Sequence, residues 1–128
     1  MLRWYLRLLA GLTLISFLGQ LALPAQLGAA SAWGVSPGWQ REIAFWDLGM
    51  FIVIARTLRT NDLVSIRTVA IALVLLQLLV ATNDAAAAIQ THALLNTVMA
   101  AVNYGSLLFG MLALRRRASH QGMSSGAA

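Results

Sequence analysis

The length and composition of the chain exclude a water-soluble protein. The chain has 128 residues, of which 59% are hydrophobic and only 10% are charged, whereas a soluble domain carries about 25% charged residues. Because a domain of this size exposes a large share of its surface, so few charges cannot cover that surface. We therefore predict an integral membrane protein. These residues include no cysteine, which excludes disulfides, thiolate metal sites and cysteine nucleophiles within them.

Four apolar segments follow one another along the chain, and each predicts a transmembrane helix. They lie at about residues 4–23, 42–58, 66–88 and 93–114. About 20 residues cross a hydrocarbon core of about 30 Å, so the first, third and fourth segments are long enough. The second is short and spans only if Arg41 and Arg56 extend to the two interfaces. The predicted fold class is all-α, an integral membrane bundle of four transmembrane helices.

The first two connections differ in composition. Residues 24–40 contain two prolines and three glycines, which predict an irregular loop. Residues 59–65 are short and polar and predict a turn. Within that turn, Asp62 or Ser65 is positioned to cap the third helix, because both side chains accept hydrogen bonds from the first N–H groups of a helix.

The third connection has no glycine or proline to mark it. We place the turn near residues 90–92, with Thr91 as a candidate N-cap for the fourth helix. A turn at Asn83–Asp84 is the alternative and would make the fourth helix unusually long. Beyond the fourth helix, residues 118–128 are mostly small and polar, a composition that predicts a disordered cytoplasmic tail.

The placement of the basic residues predicts the orientation. All nine are arginine, and eight of them flank helix ends that share one side of the membrane, Arg41 being the exception. By the positive-inside rule, both ends of the chain face the cytoplasm, and the protein is multi-pass in the inner (plasma) membrane. Because the arginines are not gathered in one stripe, no nucleic-acid partner is predicted. A cleaved signal peptide is the competing interpretation of the first segment, with cleavage near residues 30–32.

Polar side chains recur inside the predicted helices, where each one is costly. Asp47 lies six residues beyond Arg41, about 9 Å along the second helix, and is the best single candidate for a functional carboxylate. Gln77 and Asp84 lie seven residues apart and share one face of the third helix. For each of these residues the alternative interpretation is a hydrogen bond that only packs one helix against another.

The fourth helix carries two different faces. The polar face consists of His92, Asn96, Asn103 and Gly110. The opposite face carries a ridge of small residues, namely Thr97, Ala101 and Gly105. Small residues let helix backbones approach closely in a membrane. We therefore expect this helix to pack on both sides, with one side facing its own bundle and the other facing a second helix or a second copy of the chain.

Together the polar residues predict one pocket in the outer half of the membrane. Its members are Glu42, Asp47, Gln77, Asp84, His92, Asn96 and Asn103. Only His92 titrates near neutral pH, and we expect Asp47 and His92 to be the working pair, joined through a helix tilt or a bridging water. A single histidine among the membrane helices does not predict a metal site, and the pattern identifies no cofactor.

Several of these positions also carry a family resemblance. They are Arg41-Glu42 and Asp47-Leu48-Gly49 on the second helix, Asp84 late in the third, and His92 at the start of the fourth. With them, residues 5–114 resemble the DoxX-like superfamily of small bacterial membrane proteins. The resemblance implies a four-helix bundle and does not imply a reaction.

Three classes of function are compatible with this sequence. The leading hypothesis is a structural or accessory subunit of a membrane complex, with the lipid bilayer and either a homo-oligomer or a larger complex as partners. A membrane enzyme or redox component is the first alternative, acting on a lipophilic small molecule such as a quinone, and it needs a pocket deep enough for that ligand. An oligomeric small transporter is the second, since intramembrane carboxylates also mark ion paths.

Overall fold

The chain is all-α, as predicted. A computed structural model describes residues 1–124, with side chains through Arg115. Its helices are α1 (Leu2–Ala22), α2 (Pro24–Ala30), α3 (Pro37–Arg59), α4 (Leu63–Thr91) and α5 (Leu94–Ser124). No strand occurs within residues 1–124.

Three of the helices are long and apolar enough to cross a membrane. They are α1, α4 and the Leu94–Arg115 part of α5. Only 17% of the apolar window of α1 and of α4, and 33% of that of α5, is buried inside the chain. Since exposing apolar surface to water is unfavourable, these outer faces require lipid or an apolar partner to cover them. The length and the exposed apolar surface of these helices indicate a membrane protein.

The segment between the first two predicted helices is more regular than its composition suggested. Pro24 opens α2 and Pro37 opens α3, in the first helical turn, where a missing N–H group removes no hydrogen bond. The predicted irregular loop over 24–40 is therefore wrong, and only residues 31–36 lie outside a helix. As a consequence α3 has 23 residues, about 34 Å of helix, rather than the short segment expected.

The long helices pack chiefly as two pairs, α1 with α3 and α4 with α5. We call the end of the bundle that holds the start of α1 and the 60–62 connection the terminal end, and the opposite end the distal end. The two pairs meet in an apolar core near the terminal end. The largest fully buried side chains of that core are Tyr5, Leu6, Leu9, Ile54 and Ile66.

Gly110 allows α5 to approach both α1 and α4 in this core. A Cβ atom at Gly110 would lie 2.6 Å from Val74 Cγ2 and 2.7 Å from Tyr5 Cζ. The Tyr5 ring also packs edge-to-face on Phe109, with the ring centroids 6.1 Å apart. Gly110, on the polar face of the last predicted helix, therefore lies on the side of α5 that packs within the bundle.

Asp62 caps α4, as one of the two predicted alternatives. Its carboxylate accepts hydrogen bonds from Val64 N at 2.9 Å and Ser65 N at 3.0 Å, and also from the Ser65 hydroxyl. These bonds satisfy two backbone N–H groups that have no partner inside the helix. The cap fixes the short 60–62 connection and with it the start of α4.

The turn between α4 and α5 lies where the preferred prediction placed it. His92 follows the last residue of α4 and adopts a left-handed backbone with φ +55°, so the alternative turn at residues 83–84 is wrong. Thr91 does not cap α5, however. Its hydroxyl donates to Ala87 O at 2.8 Å, because a threonine late in a helix readily bonds the carbonyl four residues earlier.

The last helix extends further than predicted. The sequence predicts a disordered tail over 118–128, whereas α5 continues through Ser124. Arginine and alanine are strong helix formers, and no proline interrupts the chain after residue 114. Residues 125–128 of the predicted tail lie outside the described residues.

Candidate functional site

The most complete polar cluster is centred on Asp84 of α4, which is 8% exposed. Its Oδ1 atom accepts a hydrogen bond from Asn96 Nδ2 at 3.1 Å, and its Oδ2 atom accepts one from Asn103 Nδ2 at 3.2 Å. The two asparagines are seven residues apart on α5, so both lie on the same face of that helix. The structure thus brings together three of the seven residues predicted for the pocket.

Asn96 extends this cluster to the 31–36 connection. It is 2% exposed, and its Oδ1 atom accepts a hydrogen bond from Ala32 N at 2.7 Å. The hydrogen bonds therefore run from Asn103 through Asp84 and Asn96 to the connection between α2 and α3. Sequence reasoning missed Ala32, because a backbone N–H group has no sequence signal. Each Asp84 oxygen accepts a hydrogen bond from an asparagine amide, so the cluster links α4, α5 and the connection between α2 and α3.

Gln40 fixes the same connection from the start of α3. Its side chain is 4% exposed; Oε1 accepts a hydrogen bond from Ser36 N at 3.1 Å, and Nε2 donates to Gly34 O at 3.4 Å. A Cβ atom at Gly28 would lie 2.6 Å from Gln40 Nε2, so α2 reaches this position only because residue 28 is glycine. The available signal was a serine before the helix followed by glutamine in its first turns, which resembles a capping box.

Asp47 lies in a different environment, between α3 and α1. It is half-buried, and Ser16 of α1 lies beside its carboxyl group. The Oδ2 atom is buried and has no hydrogen-bond partner among the described residues. By helix rise, Asp47 lies about 18 Å from the last residue of α3 and Ser16 about 21 Å from the first residue of α1. Both therefore lie near the middle of the bundle.

Three further buried side-chain oxygens lack a partner in the part of the chain that the structure describes. They are the Tyr5 hydroxyl oxygen and Gln20 Oε1 on α1, and Gln77 Oε1 on α4. The two amide oxygens and Asp47 Oδ2 are acceptors on three different helices. An acceptor is satisfied only by an N–H or O–H donor or by a cation, and leaving it unsatisfied in an apolar setting is costly.

The remaining two predicted pocket residues lie outside the interior. Glu42 is exposed and lines an outward groove of about 530 Å³ on α3, together with Trp46 and Gly49. His92 is exposed at the turn after α4. Asp47 and His92 form no hydrogen bond within the described residues, because His92 ends a helix while Asp47 lies halfway along one. The expected single pocket is therefore divided into the Asp84 cluster, the half-buried Asp47 and Gln77 at two other positions of the bundle, and two exposed residues.

The ridge of small residues on α5 faces outward. Thr97, Ala101 and Gly105 are all exposed, and a Cβ atom at Gly105 would meet no atom within 4 Å. Within the described residues the ridge is therefore not covered by another helix of the same chain. Contact with a second copy or another protein stays a prediction.

No set of three or more histidine, cysteine, aspartate or glutamate side chains that could hold a metal ion occurs among the described residues. Comparison with protein-family models, curated proteins and solved structures finds no match. The resemblance to the DoxX-like superfamily therefore stays a prediction, and the function must be argued from the geometry of this chain.

Proposed function

We propose that this chain is a four-span protein of the inner (plasma) membrane with both ends in the cytoplasm, and that it serves as a non-enzymatic accessory subunit of a membrane complex. The length of α3 supports a fourth span, since about 34 Å of helix exceeds the hydrocarbon thickness of about 30 Å. Eight of the nine arginines belong to the terminal end, which supports its cytoplasmic location.

The observation that carries the accessory role is the contrast between the two faces of α5. The inward face is internally satisfied, because Asn96 and Asn103 both donate to Asp84. The outward face presents an uncovered ridge whose centre is Ala101 and whose Gly105 has open space beside it. In lipid, helices associate through close packing of such small residues. A partner helix is therefore the occupant that this face suits best.

The test compares two glycines that both have open space beside them. Gly105→Leu fills the ridge, while Gly11→Leu adds the same side chain to α1, where a Cβ atom also meets nothing within 4 Å. After gentle extraction, native mass spectrometry of the wild-type chain should show a complex, with itself or with another membrane protein. Gly105→Leu should abolish that complex and Gly11→Leu should retain it. A complex that survives Gly105→Leu would contradict the proposal.

A second candidate function is the passage of protons or small cations. The specific observation in its favour is that three buried acceptors, Gln20 Oε1, Asp47 Oδ2 and Gln77 Oε1, have no hydrogen-bond partner among the described residues. Protons, water and cations are the species that such acceptors bind, and carboxylates inside membranes are frequently part of ion paths.

Ion passage is tested in proteoliposomes that contain a pH-sensitive dye. Asp47→Asn removes the buried carboxyl group, whereas Glu42→Gln removes an exposed one from the same helix and serves as the control. If the chain conducts protons, Asp47→Asn should abolish dissipation of an imposed pH gradient and Glu42→Gln should not. Equal dissipation by Asp47→Asn and the wild-type chain would exclude Asp47 as part of the path.

A further inference from the structure

A small cavity opens at the terminal end, between the first turns of α1 and α4. Its volume is about 230 Å³, several times the volume of about 30 Å³ that one water molecule occupies in the liquid. Leu63 and Ile66 of α4 form its apolar side, and Arg3, Trp4 and Arg7 of α1 form its polar side. The cavity lies where a membrane-crossing α1 would enter the headgroup region.

Two arginines one helical turn apart line this cavity, and their guanidinium groups make different contacts. The Arg3 guanidinium donates to Leu58 O at 2.9 Å, to Thr60 O at 2.7 Å and to Asn61 Oδ1 at 3.1 Å. Arg3 is thereby anchored to the end of α3. The Arg7 guanidinium lies over the Trp4 ring, 4.7 Å from its centroid, in a cation–π arrangement. Stacking positions the planar group while its N–H donors stay in the plane of the guanidinium.

The local electrostatics favour an anion. Among the side chains that the structure describes, Asp62 is the only acidic one near this end of the bundle, and its oxygens accept hydrogen bonds from the first N–H groups of α4 and from Ser65. The first turn of α1 lines the same cavity and has no side-chain cap. Uncapped N–H groups at a helix start add to the positive potential of the two arginines.

We propose that this cavity binds the phosphate of an anionic phospholipid, with Arg7 as its principal donor, Arg3 and the start of α1 as supporting donors, and Trp4 at the headgroup level. The cavity places a guanidinium group beside an apolar surface, and this combination suits a phospholipid better than a free anion. A planar guanidinium suits bidentate binding of a phosphate, and Leu63 and Ile66 offer apolar surface to the glycerol and the first part of an acyl chain. Tryptophan is enriched at this depth of membrane proteins.

The experiment measures which lipids the full chain retains. The protein is reconstituted in nanodiscs of phosphatidylcholine mixed with phosphatidylglycerol, and the lipids released with it are quantified by native mass spectrometry. We expect the wild-type chain to be enriched in phosphatidylglycerol. Arg7→Gln should lower that enrichment about fivefold, the effect of one arginine worth about 1 kcal/mol near an anionic surface. Arg56→Gln is the matched control, because it removes an exposed arginine at the same end that does not line the cavity.

Three outcomes would overturn the proposal. If Arg56→Gln lowers the enrichment as much as Arg7→Gln, general surface charge and not a site explains the retention. If Arg7→Lys retains the lipid as fully as arginine does, the planar donor geometry is not used. If excess inorganic phosphate releases the bound phosphatidylglycerol from the wild-type chain, the cavity recognises free phosphate and not a lipid.

Discussion

Asp84 and Asn96 lie 12 residues apart in sequence, and their side chains hydrogen-bond at 3.1 Å across the turn that joins α4 to α5. Both side chains are buried, and Asn96 also accepts a hydrogen bond from the backbone N–H group of Ala32. A carboxylate that looked like a candidate for chemistry is therefore also the residue that ties three segments of the distal end together. Removal of this carboxylate should therefore lower the free energy of unfolding.

Asp84→Ala should destabilise the fold by about 1–2 kcal/mol, because it leaves the amides of Asn96 and Asn103 buried without their acceptor. The measurement is unfolding in mixed detergent micelles. Asn83→Ala is the control, since Asn83 is exposed on the same helix and its loss should have little effect. A double-mutant cycle of Asp84→Ala with Asn96→Ala should be non-additive, as expected for contacting residues. Additive effects would show that the two side chains are not coupled.

Two glycines on α5 should respond in opposite ways to the same substitution. Gly110→Ala places a methyl group within 2.7 Å of Val74 and Tyr5, and this overpacking should cost about 1–3 kcal/mol of the free energy of unfolding. Gly105→Ala meets no neighbour and should leave the stability unchanged or raise it by up to about 1 kcal/mol, because alanine favours a helix over glycine. Equal effects of both substitutions would contradict the packing described for α5.

Arg3→Gln should loosen the terminal end of the bundle. It removes the hydrogen bonds from the guanidinium to Leu58 O and Thr60 O, which satisfy carbonyl groups at the end of α3. We expect a loss of about 1 kcal/mol, the usual scale of a hydrogen bond in a folded protein. Arg56→Gln removes an exposed arginine near the same end of the bundle and should leave the thermal midpoint unchanged. Protection of the 58–61 amides from hydrogen exchange gives a local measurement of the same effect.

The Asp62 cap should make stability depend on pH. The hydrogen bonds from the Ser65 side chain and then from the backbone N–H groups of Val64 and Ser65 hold the pKa of the Asp62 carboxyl below its ordinary value. A lowered folded-state pKa stabilises the fold above the unfolded-state pKa of about 4, and this contribution disappears as the pH falls through the lower folded-state pKa. Asp62→Ala should therefore lower the thermal midpoint at neutral pH, and the difference should vanish in strong acid. A constant difference at every pH would contradict this origin.

The orientation can be tested with single cysteines, because the chain contains none of its own. Cysteines at Gly34 and Gln90 should react with a membrane-impermeant reagent from outside the cell. Cysteines at Thr60 and Ser119 should react only after the membrane is opened. Labelling of Ser119→Cys from outside would contradict the positive-inside interpretation, and a mature chain beginning near Trp33 would identify the first segment as a signal peptide.

Several features follow from the sequence alone, for local physical reasons. Apolar segments of about 20 residues predict helices that favour lipid, and α1, α4 and the Leu94–Arg115 part of α5 are long and apolar enough to cross a membrane. The cap of α4 near Asp62, the turn near His92 and the shared helix face of Asn96 and Gly110 also follow from the sequence. Each depends on spacing within one helix or at its end, where the helical repeat fixes direction.

Other features required the tertiary structure, because they depend on contacts between distant segments. Nothing local indicates that Asn96 receives a hydrogen bond from Ala32, which lies 64 residues away, or that Gly28 allows α2 to pack beside Gln40. The sequence pattern groups Glu42 and His92 with Asp84 because all are polar and the predicted spans put all three in the same half of the membrane. The depth of a residue in the membrane does not determine which side of its helix faces the interior of the bundle. That direction is set by which helices pair, and here α1 pairs with α3 and α4 with α5, so Glu42 is turned outward while Asp84 is enclosed.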